Sequence, residues 1–243
     1  MIPKEVIIRL DCEYGPLHWQ PSKDAVSVLV ETILSQNTSD TNSGRAFKSL
    51  LETFDNWESV VSADVERITD SIKRGGLANI KAERIQAVLR RIWEERGSFD
   101  LAFLRGRPIP EAKAWLMRLP GVGPKTASCV LLFALGMPAL PVDTHVFRVS
   151  WRLGLIDRRS STEEAHELLE RLIPEQQVYA FHMQMVQHGR RVCRARNPLC
   201  RRCVLEEICP SSALKQEVSD ESSVIGEAVC MPETGSIWVQ HGG

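Results

Sequence analysis

Four closely spaced cysteines near the end of this chain constrain its fold more than any other sequence feature. They are separated by six, two and five residues and comprise Cys193, Cys200, Cys203 and Cys209. Thiolates at such short spacing can converge on one centre, which is how structural zinc and iron–sulfur clusters are held. The segment is therefore predicted to form a loop that is closed by a metal centre.

The same segment is strongly basic. Six residues between positions 190 and 202 are arginines, namely Arg190, Arg191, Arg194, Arg196, Arg201 and Arg202. A metal-stapled loop with this much positive charge should contact a polyanion. Arg194 and Arg196 lie between the first two cysteines and are the candidates for phosphate contacts.

The formal net charge of the 243-residue chain is −1, but acidic residues are concentrated at its C-terminal end. Without the residues from position 211 onward, the chain has 29 basic and 26 acidic residues. A mildly basic folded part is compatible with binding to nucleic acid. Residues 212–243 are rich in Ser, Glu and Gly and lack a sustained period, so they are predicted to form a disordered acidic tail.

Most of the remaining sequence has the apolar periodicity of α-helices, and strand signals are nearly absent. We predict an all-α fold with helices over residues 23–34, 45–54, 65–72, 81–95, 111–119, 125–135, 145–153, 163–173 and 179–190, the first capped by Ser22. A break at residues 136–141, marked by Pro and Gly, divides the chain. Residues 22–137 are predicted to form one helical bundle, and residues 1–21 with 138–211 the domain that bears the cysteine loop.

Hydropathy excludes a membrane partner. No apolar run approaches the ~20 residues that a membrane-spanning helix needs. The first residues, MIPKEVIIRLDCEYG, place charges throughout their apolar stretch and so lack the core of a secretory signal. These features predict a cytoplasmic protein.

The string LPGVGPKTA at residues 119–127 joins two predicted helices. Gly121 and Gly123 tolerate positive φ, so the turn that they form around Val122 can direct backbone N–H groups outward at the start of the next helix. Such amides together with the positive helix end form an anion site suited to a DNA phosphate. Two glycines alone favour an ordinary helical hairpin, whereas the complete string upstream of the cysteine loop favours the phosphate site.

Three motifs occur in order along the chain: LPGVGPKTA at 119–127, PVDTH at 141–145 and the C-x6-C-x2-C-x5-C spacing. On these motifs the chain resembles endonuclease III, among the helix–hairpin–helix DNA glycosylases, from about residue 22 to residue 209. The resemblance implies a six-helix bundle that contains the hairpin, beside a second helical domain. Cysteine spacing leaves zinc and iron–sulfur open, and the resemblance implies a [4Fe–4S] cluster on the four cysteines.

The resemblance also implies a catalytic pair, Lys125 and Asp143. Lys125 lies in the first turn of the helix after the hairpin, where the helix end and partial burial favour the neutral amine that can attack C1′ of a nucleoside. Asp143 precedes a helix, so it can cap that helix and also stabilise positive charge on the sugar. Phosphate binding by Lys125 and simple capping by Asp143 are the alternatives.

Chemistry at C1′ requires the nucleotide to leave the base stack, and a side chain must fill the space. The resemblance implicates Leu77 in the loop GGLAN at 75–79 and Asn37 in the loop LSQNTSD at 34–40. Endonuclease III has a glutamine aligned with Asn37 and a small residue before it, so Gln36 is a second candidate. His145 is expected to contact the DNA backbone. Structural or surface roles are expected for His166, His182 and His188.

The predicted function is that of a bifunctional DNA glycosylase/AP lyase of base-excision repair. It would remove damaged, oxidised pyrimidines through a lysine Schiff base and cut the strand by β-elimination. The expected partner is double-stranded DNA with damaged bases or abasic sites, bound by a monomer in a bacterial or archaeal nucleoid. Alternatives are a glycosylase for another base, either 5-methylcytosine or a mismatched base, and a non-catalytic DNA-binding module.

Overall fold

The computed structural model describes residues 2–21 and 23–212, which form helices and loops without any strand. The helices are α1 (Ile2–Tyr14), α2 (Ala25–Ser35), α3 (Asp40–Thr53), α4 (Trp57–Ser62), α5 (Val65–Ile72), α6 (Ala78–Arg96), α7 (Ile109–Met117), α8 (Pro124–Cys129), α9 (Thr144–Arg152), α10 (Thr162–Leu172) and α11 (Val178–Arg191). The predicted all-α fold is confirmed. No helix in this part of the chain combines the length and hydropathy that a membrane span requires.

Two predictions from the sequence fall partly or wholly outside the described residues. Ser22, the predicted cap, is one, and α2 is capped instead by Asp24, whose Oδ1 accepts from the Ser27 amide at 2.9 Å. The predicted tail is the other, from residue 213 onward. Its first residue, Ser212, is buried and donates to the Glu206 carboxylate at 2.8 Å. The folded part therefore includes Ser212.

The first hydrophobic core lies among α2 to α8 and ends at Ala139. Its centre is α2, where Leu29 and Ile33 are fully buried, and these side chains meet Ile85 and Leu89 of α6 in the same core. Each such side chain contributes roughly 2 kcal/mol through burial. Helix α2 is apolar around most of its circumference because other helices cover it on several sides.

The second core combines α1 with α9, α10 and α11. Val6 and Leu10 of α1 are fully buried and share this core with Phe181 and Met185 of α11. The two cores support a division of the chain near residue 138, with the N-terminal segment on the side of the cysteine loop. We retain that division as a proposal.

The structure adds two helices that periodicity did not reveal, α1 and α4. Helix α4 has six residues, too few for a periodic signal, and a reciprocal capping box of Asn56 and Ser59 holds its first turn. Helix α3 also begins five residues earlier than predicted, at Asp40, because Ser39 caps it. The last residue of the LSQNTSD string is therefore the first residue of α3, and the residue before it is the cap.

The predicted helix 125–135 changes character midway. It is α-helical to Cys129 and π-helical over Val130–Ala134. Side chains from elsewhere bond to its last carbonyls: the Trp19 indole donates to the Phe133 carbonyl at 3.0 Å, and Arg105 donates to those of Ala134 and Leu135 at 3.3 Å each. The π-helical stretch places Phe133 against both cores.

Candidate active site

The hairpin between α7 and α8 has one glycine that the backbone requires and one that it does not. Gly121 has φ +72°, and a Cβ there would lie 2.3 Å from Nε of Arg84. Gly123 has φ −98°, and a Cβ there would meet nothing within 4 Å. The expectation of positive φ is therefore right for Gly121 and wrong for Gly123, which instead leaves open space beside the first turn of α8. Val122 between them is buried and anchors the turn.

Lys125 is half-buried beside a cleft of about 320 Å³ between α2 and α8. The cleft wall also includes Val28, Thr32, Cys129 and Phe133. Burial raises the pKa of the Cys129 thiol, whereas Lys125 lowers that pKa and Asp143 raises it. Both predicted catalytic residues thus lie within electrostatic reach of one buried thiol at the cleft.

Asp143 caps α9. Its Oδ1 accepts from the backbone amides of His145 at 2.8 Å and Val146 at 2.7 Å. Both bonds use one oxygen, so capping orients the carboxylate and leaves Oδ2 outside the cap. The two predicted roles of Asp143 are therefore geometrically compatible.

The extended segment before Asp143 is held by buried side chains of α10 and α11. Nδ1 of His166 donates to the Leu140 carbonyl at 2.8 Å, and Nδ1 of His182 donates to the Pro141 carbonyl at 2.9 Å. The Leu140 amide donates to Glu170 at 2.8 Å. The surface alternative for these histidines is wrong, because His166 and His182 are 3% and 6% exposed, and His188 is likewise buried. The sequence contained no local signal that would link them to Asp143.

Burial is the main reason that the pKa of His182 is lowered to about 4. Asp143 raises this pKa, whereas Lys125 lowers it. His182 is therefore a third group near the predicted catalytic pair. Its ring also lies edge-on to Phe133, with 5.4 Å between the centroids. A neutral imidazole with its proton on Nδ1 follows from burial and from the carbonyl partner.

The two predicted wedge loops share a backbone feature. Asn37 has φ 53° and Leu77 has φ 51°, both in the left-handed region that non-glycine residues seldom occupy. Both side chains are exposed, Leu77 by 54%. Gln36 is half-buried, and its side-chain oxygen accepts from Arg84 at 2.6 Å. Asn37 is thus the more accessible of the two candidates in its loop.

His145 lies at the crossing of α9 and α11. A Cβ on Gly189 would come within 2.9 Å of His145 Cβ, so glycine permits the close approach of the helices. Arg148 lies 3.0 Å from Nδ1 of His145 and donates to the Gly189 carbonyl at 2.8 Å. These contacts fix His145 beside the same helix that supplies His182.

The four cysteines come together at the end of α11, where they line one cavity. Among residues 2–21 and 23–212, no three His, Cys, Asp or Glu side chains converge closely enough to hold a single metal ion. The pKa of Cys203 is raised to about 12, chiefly by burial and in part by the other three cysteines. The four sulfurs line one cavity, and they do not converge on the position of a single metal ion.

Two side chains place nitrogen atoms beside these sulfurs. Arg152 donates to Cys193 Sγ at 3.2 Å and to the Arg194 carbonyl at 2.7 Å. His188 Nε2 lies 3.5 Å from Cys203 Sγ, and its other nitrogen is bonded to the Tyr14 hydroxyl. Arg194 and Arg196 themselves are exposed beside this centre.

The family was established by comparison with known proteins. A family model described as HhH-GPD superfamily base excision DNA repair protein matches residues 30–175, more than half of the chain. The chain belongs to the HhH-GPD superfamily. The matched residues include the hairpin, Lys125 and Asp143, and the predicted resemblance to endonuclease III is confirmed.

Several HhH-GPD relatives are similar over much of their length. Endonuclease III of Thermotoga maritima is 41% identical over 186 residues, which cover 76% of this chain and 83% of that protein. A putative DNA glycosylase of Arabidopsis thaliana is 41% identical over 162 residues, 67% of this chain and 55% of the plant protein. A non-covalent endonuclease III–DNA complex has a TM-score of 0.76 and 27% identity, covering 88% of this chain and 96% of that chain. The chain is a DNA glycosylase/AP lyase of base excision repair by these relationships.

Proposed function

We propose that Lys125 is the nucleophile of a bifunctional glycosylase/AP lyase. The proposal is based on the position of Lys125 at the cleft, beside the buried thiol of Cys129. Asp143 is close enough to the same thiol to raise its pKa. The Lys125 amine attacks C1′ of the damaged nucleotide, and the C1′–N bond breaks with its electron pair leaving on the base, which takes up a proton. The bond between C1′ and the ring oxygen then breaks, the oxygen takes up a proton, and the nitrogen lone pair forms the C1′=N double bond of the cationic Schiff base.

Strand cleavage follows from the same intermediate. The cationic Schiff base acidifies the proton on C2′, and a base in the site removes it. The electrons form a C2′–C3′ double bond, and the C3′–O bond breaks with the phosphate as leaving group. Asp143, oriented by its cap through Oδ1, has Oδ2 available to stabilise positive charge at C1′ and to carry protons.

The proposed substrate class is oxidised or otherwise damaged pyrimidines in double-stranded DNA. The cleft beside Lys125 has about 320 Å³, and its wall mixes hydroxyl groups of Thr32 and Ser35 with the apolar surface of Val28 and Phe133. A saturated or oxidised pyrimidine presents polar edges and an apolar ring face, which match that mixture. A nicking panel with thymine glycol, uracil-derived lesions, 5-methylcytosine, mismatches and plain abasic sites distinguishes the candidates.

We propose that two surfaces, which we call grips, bind DNA phosphates around this centre. Two side chains, which we call wedges, fill the space that the extruded nucleotide leaves. The turn Gly121–Gly123 leaves the start of α8 without a side-chain cap, so its amides suit a phosphate. Arg194, Arg196 and His145 are the proposed second grip. Leu77 and Asn37 are the proposed wedges, because both are exposed, whereas Gln36 is held by Arg84.

The four cysteines fit a [4Fe–4S] cluster better than a single zinc ion. Zinc needs its ligands to converge at about 2.3 Å from one point, and these sulfurs instead surround a cavity. The N–H group of Arg152 at Cys193, and Nε2 of His188 at Cys203 when it carries the ring proton, suit the negative charge of a thiolate-bound centre. A cluster there would supply a four-point anchor for the arginine-rich loop. Iron and sulfide content of the purified protein tests this assignment, and stoichiometric zinc would contradict it.

Borohydride trapping tests the catalytic proposal. Wild-type protein mixed with duplex DNA that contains an abasic site should form a covalent complex when the imine is reduced, and Lys125→Gln should abolish that complex. Lys113→Gln is a matched control, because Lys113 is a second partly buried lysine that pairs with Glu170 away from the cleft. Survival of trapping in Lys125→Gln assigns the nucleophile to another amine.

A further inference from the structure

A buried lysine connects the two proposed wedge loops. Nζ of Lys81 lies 2.6 Å from the carbonyl oxygen of Leu34 and 2.8 Å from that of Gly75. Leu34 is near the end of α2, three residues before Asn37, and Gly75 is two residues before Leu77. One ammonium group thus bonds to the backbone of both loops just ahead of each wedge candidate.

Lys81 occupies a position that is unfavourable for a cation. It is 2% exposed, and burial lowers its pKa. It also lies in the first turn of α6, where the helix dipole opposes positive charge. No carboxylate among the described residues acts on it, and backbone carbonyls are its hydrogen-bond acceptors. Because an unpaired buried ammonium is costly, these two contacts must offset a substantial penalty.

The loops that Lys81 joins have left-handed residues at matching points. Asn37 and Leu77 have φ values of 53° and 51°; this conformation costs Leu77 about 1 kcal/mol or more, whereas asparagine adopts it more readily. Such residues persist only where the surroundings over-determine the backbone. Gly75 contributes to that constraint, because a Cβ on it would lie 3.1 Å from Ala46 Cβ. The hydrogen bonds of Lys81 and the close packing at Gly75 therefore help to maintain these backbone conformations.

We propose that Lys81 is a positioning residue that sets the spacing of Asn37 and Leu77, so that both enter the duplex together. The inference rests on the proposed function, in which these residues replace an extruded nucleotide and hold the base left without a partner. Two wedges at the ends of independent loops would each have to be ordered on binding. A shared cation orders both loops beforehand, which removes that entropic cost from the DNA-bound state.

The test compares one abasic site in two duplexes. In the first duplex the abasic site lies opposite guanine. In the second duplex it lies opposite a stable abasic analogue, so no unpaired base has to be stabilised. Lys81→Met keeps the side-chain length and removes the donor. We expect trapping to slow about 10-fold or more opposite guanine and less than about 3-fold opposite the analogue, since only the first duplex requires both wedges.

Gln86→Met is the matched control. Gln86 lies on the same helix, is 8% exposed, and donates to the backbone carbonyls of Val61 at 3.2 Å and Ala63 at 2.7 Å, at the C-terminal end of α4, which carries neither wedge candidate. This variant should lose stability without changing the ratio of the two rates. An unchanged ratio in Lys81→Met, or the same ratio change in both variants, overturns the inference.

A second arm separates the inference from the proposed function. In a Leu77→Ala background, Lys81→Met should slow the guanine-opposed reaction by less than about 3-fold, because the spacing of the two wedges no longer matters once one of them has been removed. Fully additive effects would contradict the proposal. If Lys81→Met does not fold, Lys81→Leu, which is also apolar and lacks a donor, is measured instead against the same criteria. Failure of wild-type protein to trap either duplex refutes the proposed function itself, whereas normal wild-type trapping with an unchanged ratio refutes only the role of Lys81.

Discussion

Nδ1 of His182 lies 2.9 Å from the carbonyl oxygen of Pro141, two residues before Asp143. The bond joins α11, which leads directly into the cysteine loop, to the segment that carries the proposed catalytic carboxylate. His166 makes the equivalent bond one residue earlier, at Leu140. The position of Asp143 thus depends on side chains that are distant in the sequence.

His182→Phe should slow base release without weakening DNA binding. The substitution retains the ring that packs against Phe133 and leaves the Pro141 carbonyl without its donor. An unsatisfied buried carbonyl costs about 1–3 kcal/mol, and a displaced Asp143 should reduce the single-turnover rate by about 10-fold or more. Single-turnover excision and a binding titration measure the two quantities. His166→Phe is the control, and an equal rate loss there would show that the effect is not specific to the contact nearer Asp143.

Asp143→Asn should preserve the fold and abolish most of the chemistry. Asparagine is as good an N-cap as aspartate, and its carbonyl can accept the His145 and Val146 amides that now bond to Oδ1. The loss of the negative charge should slow base release by about 100-fold or more. Thermal unfolding should change little while excision is severely reduced. A large drop in thermal stability would instead show that the carboxylate is chiefly structural.

The two hairpin glycines should respond differently to alanine. Gly121→Ala introduces a Cβ at φ +72° and within 2.3 Å of Arg84, so we expect a loss of about 1–3 kcal/mol in the free energy of unfolding. Gly123→Ala meets no neighbour and should leave stability nearly unchanged while weakening binding to duplex DNA, because its methyl group occupies the proposed phosphate site. Denaturant unfolding and a fluorescence binding assay separate these effects. Unchanged DNA affinity in Gly123→Ala would argue against that phosphate site.

Stability should fall as the pH decreases from about 6.5 to about 4. Burial lowers the pKa values of His166 and His182 to about 4, so both are neutral in the folded protein. The unfolded chain, with histidine pKa values near 6.5, takes up protons first, and acid therefore favours unfolding. Each histidine should remove on the order of 2–3 kcal/mol by pH 4. The unfolding free energy of His166→Phe, measured across this range, should show a smaller decline than wild type; identical slopes would assign the loss to other groups.

Local patterns in the sequence were sufficient for much of the fold. Helices α5, α6 and α9 to α11 occur within three residues of their predicted bounds, because a period of 3.6 residues is a property of a contiguous segment. Helix α4 was missed because six residues carry too little periodicity. The end of α8 was predicted as α-helix, and its π-helical form depends on donors from Trp19 and Arg105.

The sequence by itself determined the all-α class, the hairpin, the cysteine loop and the family. Each of these depends on residue patterns within contiguous segments of the chain. Only the tertiary structure decided what holds these parts in place. Lys81 contacts a carbonyl 47 residues away, and His182 contacts one 41 residues away. Such contacts leave no trace in local spacing, because they arise from how all the helices pack together. A buried lysine or histidine in a sequence reveals its partner only when the backbone carbonyl that it meets is known.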